Sequence, residues 1–475
     1  MSVKAIFIIP PSEALKLRFV SYQQPINLGY LAAAVIGAGF EAEIWDYGME
    51  EFGERRFVER IRSADPQVVG FHCKTFNIIQ GHSLALALKK SFPEVITVVG
   101  GPHSSAIPIE TLNEFRHFDA VAVGEGEETV IEICRKIALG HSIENVKGLA
   151  VRKGDAAVLN PGRELIKDLN TLKYPARRLF SKLPYSRYQA TRGLSPLNRN
   201  ATEIFTSRGC PHKCIFCAVN VTYGNSVRFR SVDNVLGEIE VCLNEFKYDH
   251  IIFHDDTFTL RRDRTEALIK GFRKLGLRSW NCDTRVDTVD KELLREMALS
   301  GCKKISFGAE SGSDRILKLI KKDITVEQTR NAVRWARQAG IEIVECGFII
   351  GSHPDETLDD VRMTWRLIKD LKPDILPVAT IVPYPGTEIY RLMKDGGYLP
   401  DEHWTDFQIM GRKFSWRTKY FSSTDLSRLQ RQLINRYYFS PGYIKRLSRK
   451  IKSIGDLRYW AGVGMDYVGF LCGRR

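Results

Sequence analysis

Three cysteines in one short stretch, TSRGCPHKCIFCAV, carry the strongest chemical signal in the sequence: Cys210, Cys214 and Cys217 stand at C-x3-C-x2-C spacing. Three thiolates this close can face one metal centre. A closed zinc site wants four ligands, and His212 would have to supply the fourth from inside the same loop. A four-iron, four-sulfur cluster held by three thiolates instead keeps one iron open to a small molecule, which makes the site reactive rather than structural. The other candidates are weaker. Cys242, Cys282, Cys302 and Cys346 stand singly within apolar helices or at strands and read as small buried hydrophobes. Ten cysteines in 475 residues, three of them clustered, fit reduced thiols around a metal better than a disulfide framework.

Such a loop needs a scaffold, and apolar periodicity supplies two. Strand-like runs at KAIFII (4–9), AEIWD (42–46), QVVGFH (67–72), VITVVG (95–100) and DAVAVG (119–124) alternate with helical stretches, which predicts a doubly wound α/β domain over residues 1–140. Residues 141–200 hold a hairpin-like GLAVRKGDAAVLN and the Pro, Arg and Tyr of YPARRLFSKLPYSRY, and read as a linker packed on the surface. A second series runs ATEIFTS (201–207), HIIFHDD (250–256), RSWNCDTRVD (278–287), KKISFGAES (303–311), IEIVECGFIIG (341–351) and DILPVAT (374–380). Six βα units predict a complete or partial parallel barrel over 201–390, with chemistry at the strand C-terminal ends. Residues 391–475 lose the sheet pattern and predict a basic, helical C-terminal region.

Composition narrows the class further. Hydrophobic residues make up 44% and charged residues 27%, which excludes a disordered or fibrous chain. The net charge is +14, but residues 411–475 hold 15 Lys and Arg against 3 Asp and Glu, so the body is nearly neutral and the tail basic. No apolar run approaches a membrane span and the start lacks a signal peptide's apolar core, so a cytoplasmic location is expected. YIKRLSRKIKSI spaces Tyr443, Ile444, Leu447, Ile451 and Ile454 at helical intervals among basic residues. Either this stripe packs on the barrel, or it docks peripherally on an anionic membrane inner face.

The cysteine loop, placed directly after the first barrel strand, resembles that of the radical S-adenosylmethionine superfamily. The resemblance implies that Cys210, Cys214 and Cys217 hold a 4Fe-4S cluster whose free iron chelates S-adenosylmethionine, within a partial (β/α)6 barrel, and that Phe216 packs on the adenine side. It extends to about residue 390 through further stretches at strand ends. HDDTFTL offers Asp255 and Asp256 for the methionine amino group, although one could merely cap the next helix. NCDTRVD offers Arg285 and GAESGS offers Glu310 for the carboxylate or ribose, with a structural ion pair the alternative for each. GFIIG resembles the element lying against adenine and contributes Gly347 and Gly351. GSHPDET carries one residue more than the family's common pattern, which leaves the placement of Glu356 open.

A doubly wound domain before such a barrel resembles the cobalamin-binding branch of the superfamily. Cobalamin is then expected over Gly100, Gly101 and His103 of VVGGPH and over Gly124 and Gly126 of VGEGEET, with Glu127 or Glu128 opening a helix. The loop after the first strand, PPSEALKL, lacks the D-x-H-x-x-G histidine that ligates cobalt in other cobalamin domains; His72 and His103 could line the corrin, with a satisfied structural histidine the alternative for each. The resemblance as a whole implies an enzyme that modifies an unactivated carbon of a small-molecule or lipid-like substrate. C-methylation leads, and cyclisation or oxidative rearrangement is the alternative. An electron donor such as flavodoxin or ferredoxin is implied as well. A cobalamin- or S-adenosylmethionine-binding sensor is a third reading, but no nucleic-acid motif accompanies the basic tail.

Overall fold

The computed structural model describes residues 2–11, 24–50, 52–183, 185, 200–399, 404–407, 414–451 and 453–471. Most of the PPSEALKL loop, from residue 12 onward, lies outside them, as do residues 186–199 of the linker.

The first sheet is built from β1 (Lys4–Ile9), β2 (Glu41–Asp46), β3 (Val68–His72), β4 (Ile96–Gly100) and β5 (Ala120–Ala122), all parallel in the order β2-β1-β3-β4-β5. Their nearly continuous apolar runs reflect burial on both faces. Phe7, Val68, Val98 and Ala120 face the helices Ile26–Gly37 and Glu127–Ala138, whereas Ile6, Ile8, Val69, Phe71 and Val99 join the larger core on the opposite face. Strand order reverses between β1 and β3, the switch point at which such sheets bind ligands beyond the strand C-terminal ends.

The hairpin assigned to the linker is instead part of this sheet. β6 (Leu149–Lys153) and β7 (Ala156–Leu159) extend it antiparallel beyond β5, because Leu149, Ala150 and Val151 complete the buried faces. The chain after β7 is an inserted strap rather than a surface segment. Phe180 and Tyr185 fill the first core, Tyr185 donates to Asp46 Oδ2 at 2.8 Å, and Arg177 pairs with Glu238 at 2.5 Å with both groups buried.

The second sheet is an open, fully parallel half-barrel of β8 (Ala201–Ile204), β11 (His250–Phe253), β12 (Trp280–Thr284), β13 (Cys302–Glu310), β14 (Ile343–Ile350) and β15 (Val378–Thr380), neighbouring in that order. A two-residue ladder, β9 (Ser207–Arg208) against β10 (Arg228–Phe229), closes the base of the cysteine loop. Beyond it, the helix Ser423–Tyr438 packs on β15, where Gln430 Nε2 donates to the Val378 carbonyl at 2.8 Å.

The expected amphipathic stripe is interrupted. The helix Pro441–Ser448 ends before the helix Ile454–Leu471 begins; Tyr443 is buried on the barrel and Lys450 pairs with Asp374, while Ile444 and Ile454 are exposed. Among the described residues no helix is long and apolar enough to cross a membrane.

Candidate active site between the two sheets

Gly209 starts the cysteine loop at φ +90°, and a side chain there would meet the Ser226 carbonyl at 2.2 Å, so only glycine lets the two arms of the loop approach. Buried Ile215 then pins the loop, donating its N–H to the Ile320 carbonyl and accepting from Ile389. Cys210, Cys214 and Cys217 are free and half-buried. Among the described residues no three Cys, His, Asp or Glu side chains converge as the ligands of a single ion would. Burial pushes Cys214 up and Cys217 up to about 12, while Lys322 and Arg285 pull Cys214 the other way. Iron ligation removes those protons, and three thiols flanked by two cations suit an anionic cluster.

The structure gives the two aspartates separate roles. Asp255 is buried beneath the loop, accepting from the Thr206 N–H and hydroxyl and from the Ser207 hydroxyl, so it braces the chain leading to the cysteines rather than facing a ligand. Asp256 is exposed. Its packed surroundings and the Asp255 and Asp283 carboxylates raise it to about 6, and its charge is felt at Cys217.

Arg285 is buried, forked onto Asp287 at 2.8 Å and donating to the Lys322 carbonyl at 2.7 Å; its Nη1 has no partner. Glu310 stands at φ +60°, in the left-handed region, where a β-bulge at the end of β13 turns its carboxylate onto Lys322 Nζ at 2.8 Å. A Cβ on Gly308 would lie 2.5 Å from that carboxylate and 2.8 Å from the ammonium, so this glycine makes room for the pair. Burial pulls Lys322 down, but Glu310 and Cys214 outweigh it and leave its pKa raised. Nothing in its local sequence marks Lys322, whose partner lies on another element.

The two glycines of GFIIG differ. A Cβ on Gly347 would meet nothing closer than the Phe307 carbonyl at 4.0 Å, leaving open space beside β14. Gly351, at φ +71°, is pressed by Leu426 of the C-terminal helix, 2.8 Å from where a Cβ would stand. Its small size serves that packing.

On the other sheet, a cavity of about 570 Å³ opens between the C-terminal ends of β3, β4 and β5 and the helices Ile26–Gly37 and Glu127–Ala138. Small residues at alternate positions, Gly70, Gly100, Ala122 and Gly124, carve it, and Leu28, Leu31, Val130 and Ile133 make its wall apolar. Gly70 and Ala122 escape motif reading, because only strand pairing brings them to the face of Gly100: Gly70 pairs with Val98, two residues before it, and the Ala122 Cβ lies 3.8 Å from where a Cβ on Gly100 would stand. Gly126 lines the cavity and caps the helix Glu127–Ala138. His72 also lines it, hydrogen-bonded to Asn27 Nδ2 at 3.0 Å and held neutral by burial at about 3. Gly101 is fixed by something else: at φ +113°, a Cβ would strike the Cys73 carbonyl at 2.4 Å. His103, expected at the corrin, turns away, buried edge-on against Trp404 with ring centroids 4.8 Å apart, and is absent from the cavity wall.

The far end of the same cavity is formed by the barrel: Arg208, Phe216, Cys217, Ala218 and Tyr384. Phe216 therefore faces the first sheet from the cysteine loop itself. The two halves are clamped where they meet, with Arg208 on Glu125 at 2.7 Å and on Glu127 at 2.5 Å, and Arg228 on Glu125 at 2.7 Å. A small-residue slot on one sheet, open to a three-thiol loop on the other, fits a flat macrocycle carrying a nucleotide tail.

Comparison with known proteins agrees with this geometry. The Radical SAM superfamily matches residues 204–368 and the B12 binding domain matches residues 14–134. An uncharacterized methyltransferase of Pyrococcus horikoshii is 30% identical over 441 residues, 92% of this chain and 93% of that protein. The anaerobic magnesium-protoporphyrin IX monomethyl ester cyclase of Rubrivivax gelatinosus is 26% identical over 83% of this chain and 70% of its own. The structure of the radical S-adenosylmethionine methyltransferase TsrM from Kitasatospora setae, with cobalamin and a 4Fe-4S cluster bound, superposes with a TM-score of 0.68 at 19% identity, covering 84% of this chain and 76% of that one.

Proposed function

The chain belongs to the radical S-adenosylmethionine superfamily, in the branch whose barrel comes after a B12-binding domain, and from that premise we propose that it methylates an unactivated carbon of a small-molecule substrate. It is an enzyme of the cobalamin-dependent kind, with a 4Fe-4S cluster, S-adenosylmethionine and cobalamin as its cofactors. When bound, the cluster with S-adenosylmethionine supplies hydrogen abstraction and cobalamin supplies a transferable methyl group.

The observation that carries the reading is the continuous cavity running from the glycine slot to Cys217, which supports both chemistries acting in one reaction space. Cys210, Cys214 and Cys217 hold the cluster. Arg285 and the Lys322–Glu310 pair set fixed charges beside it, and Asp256 offers a carboxylate to an amino group. Phe216 and Tyr384 cover the passage and keep water from it. The Arg208–Glu125–Glu127 clamp holds the two halves in register, since a misplacement of about 1 Å can cost roughly a hundredfold in rate. An electron donor such as flavodoxin or ferredoxin reduces the cluster. Any peripheral membrane contact falls to the basic C-terminal helices.

The similarity to a cyclase supports one second reading, ring closure or oxidative rearrangement. Product accounting separates the two. With methyl-labelled S-adenosylmethionine, methylation puts label in the product and yields S-adenosylhomocysteine and 5′-deoxyadenosine in equal amounts, because one molecule starts the reaction and another provides the methyl. Deoxyadenosine formed with substrate loss but neither S-adenosylhomocysteine nor labelled product would overturn methylation in favour of the cyclase reading.

A further inference from the structure

The inner face of the half-barrel carries polar groups that neither cofactor site uses. Strand register sorts them into layers. Glu203 pairs across to Ile252, Ile252 to Asn281 and Asn281 to Lys304; one layer nearer the strand C-terminal ends stand His254, Asp283, Ser306 and Glu345. The alternate residues, including Ile204, Phe253, Cys282, Ile305 and Val344, lie in the core shared with the outer helices, so these polar positions face inward. Two residues of strand span about 7 Å, so the Glu203 layer forms a floor roughly 14 Å below the mouth at Gly308 and Gly347.

Among the described residues, three atoms on this face are buried without a partner: Glu203 Oε1, Asn281 Nδ2 and Ser306 Oγ. Glu203 is 2% exposed and Asn281 1%. The second oxygen of Glu203 meets His254 Nε2 at 3.0 Å, and the Asn281 carbonyl meets His250 Nε2 at 2.7 Å, which orients the free atom of each. Lys304, the cation of this floor, is taken by Glu345 at 2.6 Å, so Glu203 has His254 rather than a lysine as its partner, and its other oxygen meets nothing. Asp283 adds a second carboxylate above it. A buried acceptor or donor left unmet is unfavourable, and more so when charged. A water could meet one such atom. Three of them on β8, β12 and β13, with a net negative lining, ask for a ligand with several polar points and a positive charge.

Resting on the methylation reading, we propose that the substrate is a water-soluble amine, its ammonium held between Glu203 and Asp283 and a neighbouring hydroxyl or carbonyl accepting from Asn281 Nδ2. Such a molecule, seated on the floor, projects its remaining carbons toward Cys217 and the interdomain cavity. The lumen then selects against the lipid-like substrates that the basic tail alone suggests.

The test uses the reconstituted holoenzyme and extracts of cells grown in deuterated medium, split into an aqueous cation-exchange-retained fraction, its flow-through and an organic fraction. The readout is deuterium in 5′-deoxyadenosine, which reports the abstracted hydrogen whether or not methyl transfer occurs afterwards. The cation-exchange-retained fraction should donate it. Glu203→Gln and Asp283→Asn, checked for unchanged iron content, should each cut that transfer roughly ten- to a hundredfold at limiting substrate, as expected for losing a charged hydrogen bond. Deuterium drawn from the flow-through, from the organic fraction or from none, or equal transfer by both variants, overturns the amine assignment. Deuterium from the retained fraction without methyl label in the product leaves the amine standing and overturns methylation instead.

Discussion

Glu356 offers a quantitative check on the loop beyond β14. Its side chain is fully buried, with Oε2 accepting the Ser352 N–H at 2.9 Å and the Gly351 N–H nearby, and Oε1 meeting nothing. Burial, helped by Asp360, raises it from an ordinary 4.5 to about 8, so at pH 7 the folded protein holds this carboxyl neutral while the unfolded chain has it ionised. Folding therefore takes up a proton, and stability falls as pH rises from about 4.5 through about 8. At roughly 1.4 kcal/mol per pH unit the loss approaches about 3 kcal/mol at pH 7 and about 5 kcal/mol above pH 8, as an upper bound. Glu356→Gln keeps the carbonyl acceptor and never ionises. Its melting temperature should match that of the wild type within a few degrees at pH 5 and exceed it by roughly 10 °C at pH 9, taking about 2–4 °C per kcal/mol for a domain of this size. Anaerobic scanning fluorimetry across that range measures it. A gap that stays constant with pH, or a variant that melts lower at pH 9, would refute the assignment of Glu356 as a neutral brace.

Cys210→Ala, Cys214→Ala and Cys217→Ala should each abolish S-adenosylmethionine cleavage, whereas Cys242→Ala and Cys302→Ala should keep their iron and lose only packing stability; iron analysis and deoxyadenosine release check both halves. Arg208→Ala strands Glu127 and half of Glu125 at the interface, a loss of the kind that costs about 3–5 kcal/mol, and should weaken cobalamin binding at least tenfold by spectrophotometric titration; unchanged affinity would mean that the clamp does not shape the slot. Asp255→Asn should lower the melting temperature, losing about 1–3 kcal/mol of hydrogen bonding. Asp256→Asn should instead raise the KM for S-adenosylmethionine and flatten its fall as pH rises through about 6, where the wild-type carboxyl ionises and begins to attract the amino group.

The two parallel sheets and the cysteine loop were legible in the sequence because each depends on local pattern: alternating apolar runs, glycines at turns, thiols a few residues apart. What escaped was set by register and distance in the fold. GLAVRKGDAAVLN reads as a hairpin, but only the unfilled edge beyond β5 tells where it goes. Lys322 meets Glu310 across the short helix Asp314–Leu319, and Arg208 meets Glu125 and Glu127 across 81–83 residues of chain. At two motif positions the C-terminal region adds a demand that no local pattern shows: Leu426 packs where a side chain on Gly351 would stand, and Trp404 packs edge-on against the His103 ring, the structural role open to that histidine.

The cavity between the sheets has walls from both halves of the chain, and that has a consequence for assembly. Neither half alone encloses it: Leu28, Gly100 and Ile133 form one side, Phe216, Ala218 and Tyr384 the other, and Arg208 bolts the rim to Glu127. A flat guest seated there touches both halves at once, so its binding and the contact between the halves are coupled, and whatever loosens one loosens the other. Once in place, the guest becomes part of the wall that holds the two domains together.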